Sequence, residues 1–446
     1  MIIPFSAILS FVSPPAGLAL VISSSTALGG ITMNYPGAFL QASVGALVLF
    51  SIVLKRMLEK DLFDTTIQIE DYVFGLLIST IIIMGLGHAG FNNVGTYIHN
   101  IFLKKHSSQD DFWGLVFMSR WIYFIILGSL AIRSSRELLY LICFLILGGL
   151  YQILAIPLDH YNFLFVRICK EQGSSEGLQI LNTNRTEIGY YFALSTALSF
   201  VLFKIKNINP NFVIAIVTMN LLLTFIASSK GPLASIIIFI PVAIYLLRSE
   251  LKKCIVAILF VAVTFCGIFQ ACNYNNFFTA NYLNTIMPSI NSRLSLYQGG
   301  IDTIEHNNNL NYNSNNKLKS SSVQATFSIE NNNTNVADIY RMTGSGSGTH
   351  NLFFDIYINN GLLMSVWMLL LCTSLMLILF INIKNRDEGS KIMNYFFIAL
   401  IFILGPKLIL STAAHVSMWP GVILGVTFGL TKYYRSKVNN ERSFSM

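Results

Sequence analysis

Residues 361–382 read GLLMSVWMLLLCTSLMLILFIN, twenty-two positions without one charged side chain. As an α-helix this run rises about 33 Å, enough to cross the roughly 30 Å hydrocarbon layer of a bilayer. It stands directly behind a polar segment, 272–350, that is rich in Asn, Ser and Gly and ends on Thr349-His350-Asn351. The contrast fixes the class: helices that cross a membrane, with one large aqueous loop between two of them.

The rest of the chain repeats that pattern. Of 446 residues, 54% are hydrophobic and only 11% charged, with a mean hydropathy of +0.60. A soluble protein of this length would carry roughly a quarter charged residues. Further apolar runs fall near 4–23, 36–54, 72–93, 112–132, 138–158, 188–204, 211–228, 233–247, 254–271, 394–413 and 417–433. The expectation is an all-α polytopic membrane protein with about twelve spans. It divides into residues 1–271 with spans one to nine, the loop 272–350, and residues 351–446 with the last three spans and a tail. The stretch Ile2–Ser24 lacks a basic start and a small-residue cleavage site, so it reads as a retained first span although Pro14-Pro15 interrupts it. No self-similarity at 20–50 residues is evident, which weakens a repeat-built transporter. The six cysteines (143, 169, 254, 266, 272, 372) are scattered without CxxC spacing and read as small buried residues.

Charge gives the orientation. With the amino terminus inside, the inner connections hold Lys55, Arg56, Lys60, Arg133, Arg136, Lys204, Lys206, Arg248, Lys252, Lys253, Lys384, Arg386 and Lys391. Lys432, Arg435, Lys437 and Arg442 follow in the tail. Short, basic inner loops satisfy the positive-inside rule. The net charge of +8 is thus mostly topology and does not point to nucleic acid. Both termini are expected on the cytoplasmic side and the long loop outside.

Several polar residues then gather toward the outer face: His88, Arg120, Arg167, Arg185, Glu187, Lys230, Arg293, His350, Lys407 and His415. Arg120 and Lys407 lie inside apolar runs, where cations usually face a protein interior or a watered cavity. Snorkelling and helix pairing remain open roles for both. Guanidinium and ammonium groups around an outward cleft suit a phosphate or diphosphate. The acids of the loop (Asp302, Glu305, Glu330, Asp338) are not spaced as a cation cage, and His350 has no HExxH partner. A metal-independent reaction without a cofactor is the simpler expectation. Fixed cations would stabilise a diphosphate leaving group, and His350 would orient or deprotonate an attacking hydroxyl. Thr349 reads as an N-cap for a helix starting beside His350. The Asn/Ser-rich middle of the loop, 307–335, reads as a solvated surface segment without catalytic residues.

Four stretches carry a resemblance. They are Ala227-Ser228-Ser229-Lys230-Gly231-Pro232, Ser292-Arg293-Leu294-Ser295-Leu296-Tyr297, His350-Asn351 separated by nine residues from Gly361, and Asn182-Thr183-Asn184-Arg185. In order and spacing, over roughly residues 180–430, they resemble the O-antigen polymerase and O-antigen ligase superfamily of bacterial envelope glycosyltransferases. The resemblance implies a GT-C-like fold with one large periplasmic loop, in the bacterial inner membrane. It implies an undecaprenyl-diphosphate-linked oligosaccharide donor and inverting transfer without metal or cofactor. Lys230 and Arg293 would hold the donor diphosphate, with Arg185, Arg120 and Lys407 around it, and His350 would serve the acceptor. Membrane lipid and a chain-length regulator protein are the further partners implied, with no nucleic acid. Lys230 stands where the family usually has arginine, and Met364 where the ligase pattern prefers Gly, Thr or Tyr. A polymerase joining lipid-linked repeat units is therefore the leading reading, ahead of a ligase acting on lipid A–core and, further off, a lipid-linked oligosaccharide flippase.

Overall fold

The computed structural model describes residues 2–28, 36–59, 68–89, 109–154, 185–206, 208–226, 230–246, 263, 352–382, 388–410 and 418–444. Among them every regular element is an α-helix. In chain order these are α1 (Ile2–Val12), α2 (Pro14–Leu28), α3 (Pro36–Leu58), α4 (Ile69–Ala89), α5 (Gln109–Ala131) and α6 (Ser135–Leu154). There follow α7 (Arg185–Lys206), α8 (Pro210–Ile226), α9 (Lys230–Leu246), α10 (Leu352–Asn382), α11 (Glu388–Leu410) and α12 (Trp419–Phe444). Over the described residues each apolar run predicted from sequence falls on helix, while 254–271 lies outside them apart from Val263. So does the whole loop 272–350.

Several helices are apolar on the faces they expose as well as on those they bury, the pattern of a helix solvated by lipid. On α10, Leu371, Leu375 and Leu379 are buried while Leu362, Leu363, Trp367 and Leu370 are open. By length and composition, helical stretches Glu187–Lys206, Leu362–Ile381 and Gly389–Lys407 can each cross a membrane. The chain is thus a helical protein of membrane character.

The first run departs from a single span. Pro14 and Pro15 have no N–H to continue the helical ladder. Ser13 N still donates to Leu9 O at 2.8 Å, and Gly17 N to Ser13 O at 3.1 Å. Between them the chain folds back so sharply that a Cβ on Gly17 would come within 2.5 Å of Ser10 Oγ. In a straight helix residues seven apart are separated by about 10 Å of rise. Both α1 and α2 pack on α3, and Lys55 Nζ donates to the carbonyl of Val12 at 2.8 Å, closing the end of α1. With 11 residues, α1 rises only about 16 Å and cannot cross a bilayer alone.

Opposite charges and close backbone contacts define one end of the bundle. Arg56 is buried there: Nε donates to Leu130 O at 2.9 Å and an Nη to Glu137 Oε1 at 2.7 Å. It closes the carboxyl end of α5 and joins it to the first turn of α6. Lys432 on α12 pairs with Asp71 on α4 at 2.8 Å. Gly389 of α11 lies against Ser135 and Tyr434 at the same end. This is the basic end, and the helices alternate in direction from it.

Two packing devices position what lies at the other end. On α12, Gly421, Gly425 and Gly429 recur every fourth residue and press on the backbone of α5. A Cβ on Gly421 would meet Trp121 O at 2.8 Å, and those on Gly425 and Gly429 would strike the carbonyls of Ile125 and Ile132. Small residues at this spacing let apolar helices approach closely where lipid offers no hydrophobic drive. The second device is α7, which sits in the centre against α2, α6, α8, α9 and α11. It buries small and hydroxyl side chains, Ala193, Ser195, Thr196, Ala197 and Ser199. Thr196 and Ser199 return their hydroxyls to the carbonyls of Phe192 and Ser195. Asn220 of α8 donates Nδ2 to Ser195 Oγ at 3.0 Å, and Tyr191 donates its hydroxyl to Leu145 O of α6 at 2.8 Å.

Candidate functional site

At the end opposite the basic one, the first turns of α7 meet the last turn of α11. Lys407 follows Pro406 near the end of α11 and is wholly buried. A lone ammonium in such a place is expensive, so a partner is expected. The partner is Glu187, whose Oε2 accepts a hydrogen bond from Lys407 Nζ. Three residues on, and so on the same face of α7, Tyr190 places its ring under the same ammonium, with Nζ 5.5 Å from the ring centroid. Arg120, in the middle of α5 and half-buried, stands near enough to interact electrostatically with both Glu187 and Lys407. The glycine contact between α5 and α12 is what holds that stretch of α5 in place.

A third helix reaches the cluster. A Cβ on Gly231, the second residue of α9, would lie 2.7 Å from the Tyr190 hydroxyl. Only a glycine lets α9 begin this close to Tyr190, and Lys230 is the residue that begins it. Side chains from α5, α7 and α11 and the amino end of α9 therefore converge although they are distant in sequence. Lys407 and Glu187 are 220 positions apart.

Of the residues singled out from sequence, Arg120 and Lys407 are brought together, and the start of α9 at Lys230 adjoins them through Gly231. Arg185 opens α7 two residues before Glu187; its side chain and that of Lys230 lie outside the described residues. Arg293 and His350 also lie outside them, and α10 begins at Leu352, just behind His350-Asn351. The helix-pairing role left open for Lys407 is realised, because its ammonium joins α11 to α7. Tyr190 is a member that sequence reasoning missed, and Glu187 had been noticed only as one polar residue among many. The signal was available: a carboxylate and an aromatic at i and i+3 opening an apolar run, in a chain with an unexplained lysine inside another.

Among the described residues the cluster sets two basic side chains, Arg120 and Lys407, about one carboxylate, Glu187. Among the described residues no group of three or more His, Cys, Asp or Glu side chains gathers as metal ligands. Comparison with family models, with curated proteins and with solved structures returns no match.

Proposed function

We propose that the protein is a membrane glycosyltransferase of the O-antigen polymerase kind. It would join undecaprenyl-diphosphate-linked oligosaccharide units at the outer face of a bacterial inner membrane, by inverting transfer without metal or cofactor. The observation that carries this reading is the convergence of Arg120, Lys407 and the amino end of α9 at one end of the bundle, around Glu187 and Tyr190. Basic side chains set into apolar surroundings are matched to an anion attached to a lipid, and a diphosphate leaving group is stabilised by fixed cations. On this reading the fold is GT-C-like with twelve spans, the basic end faces the cytoplasm, and the loop 272–350 is periplasmic. On the same reading Arg293 would serve the diphosphate and His350 the acceptor hydroxyl. A chain-length regulator would dock beside it.

A ligase that passes the chain to lipid A–core is the second reading, favoured by His350-Asn351 followed by Gly361 at the ligase spacing. The two differ in acceptor, so the test varies the acceptor. Purified full-length protein in proteoliposomes receives undecaprenyl-diphosphate-linked oligosaccharide, with EDTA present, and products are sized. Lengthening of the lipid-linked chain supports the polymerase. Transfer only when lipid A–core is added supports the ligase. Turnover of neither kind with authentic donor rules out both.

A further inference from the structure

Glu187 and Lys407 are unequally covered. The Lys407 side chain retains 1% of its surface and that of Glu187 26%. Of the pair, Glu187 is thus the more accessible partner, while Lys407 is closed off. Arg120, half-buried, is the cation whose charge Glu187 does not already answer through a hydrogen bond.

We infer that Glu187 determines specificity: it is a resident counter-ion that a diphosphate displaces and a monophosphate does not. The inference rests on the lipid-linked donor reading given above. A sugar joined to lipid through one phosphate carries one negative charge and is satisfied by Arg120 with Glu187 in place. A sugar joined through a diphosphate carries two. It can take both cations once Glu187 turns outward, where the carboxylate regains water instead of remaining a buried charge without a partner. The Tyr190 ring keeps the Lys407 ammonium in position during the exchange, since a cation over an aromatic face is held without any counter-ion. Glu187 thus rejects singly charged lipid phosphates, which are abundant in any bilayer, by making the second cation available only to a ligand able to replace it.

The test uses the full-length protein in detergent micelles and measures binding of an undecaprenyl-diphosphate-linked sugar, of the same sugar joined to undecaprenol through a single phosphate diester, and of phosphatidylglycerol, at fixed salt. The wild type is expected to prefer the diphosphate over either competitor by on the order of tenfold or more. Glu187→Gln keeps the shape and an oxygen facing Lys407 but removes the charge. It is expected to tighten monophosphate and phosphatidylglycerol binding by on the order of tenfold and to collapse the preference. Glu187→Ala should move the ratio in the same direction, which separates competition from a lost hydrogen bond. An unchanged ratio in folded Glu187→Gln, or equal weakening for all three lipids, overturns the inference and leaves the donor reading intact. A wild type that binds the undecaprenyl-diphosphate-linked sugar no better than phosphatidylglycerol overturns the donor reading and this inference with it.

Discussion

At the scale of single residues, the contact between Gly231 and the Tyr190 hydroxyl is the tightest constraint on the candidate site. Replacing Gly231 by alanine puts a methyl where only 2.7 Å is available. The Tyr190 ring must then shift away from Lys407, at a cost of about 1–3 kcal/mol for overpacking. The expected result is a lower unfolding temperature in detergent for Gly231→Ala, largely recovered by adding Tyr190→Phe, which removes the obstructing oxygen. Full stability of the single variant would contradict the close approach of α9. Such pairings were not legible in the sequence. Lys407 could be identified as an intramembrane cation, yet which acid would meet it depends on how helices more than two hundred residues apart are arranged. The chain offers several outer acids, and local pattern does not rank them.

At the scale of elements, the helices themselves were legible because the apolar runs are long and bounded by charge or by Pro and Gly. The fold-back at Ser13 was half legible: Pro14-Pro15 marks a break, but a kinked span and a doubled one begin from the same residues. The direction is settled by what surrounds the break, with Lys55 closing α1 and both halves packing on α3. The glycine stripe on α12 was fully visible as Gly421, Gly425 and Gly429, and its spacing points to a helix contact; only the identity of the partner, α5, required the structure. Substituting Gly425 by leucine should force α5 and α12 apart, because the obstacle is backbone that cannot rotate away. A loss of about 3 kcal/mol or more is expected, read as a fall in the thermal unfolding midpoint. If the proposed function holds, glycosyl transfer should fall with it, since Arg120 rides on α5. Substituting exposed Leu363 by alanine, on the lipid face of α10, serves as the neutral control.

At the scale of the whole molecule the two ends have different work. At one, cations such as Arg56 and Lys432 are answered by acids and carbonyls and hold helices together. At the other, among the described residues, Arg120 and Lys407 share the one carboxylate of Glu187. With the proposed orientation, the alternation of helices between these ends predicts a labelling pattern for intact cells. In a background without native cysteines, Ser322→Cys should react with a membrane-impermeant maleimide, while Glu59→Cys and Ser436→Cys should react only after permeabilisation. Joint labelling of positions 59 and 322 would contradict the assigned sides. The central helix has one more consequence. Within their membrane-length stretches, 78% of α7 is buried against 22% of α10, and α7 fills its interior with Ser, Thr and Tyr. Such a segment gains least from lipid and most from neighbours, three of which, α8, α9 and α11, are synthesised after it. During biogenesis α7 is therefore the segment that lingers at the translocon, committing to the bilayer only when later-made helices arrive to shelter it.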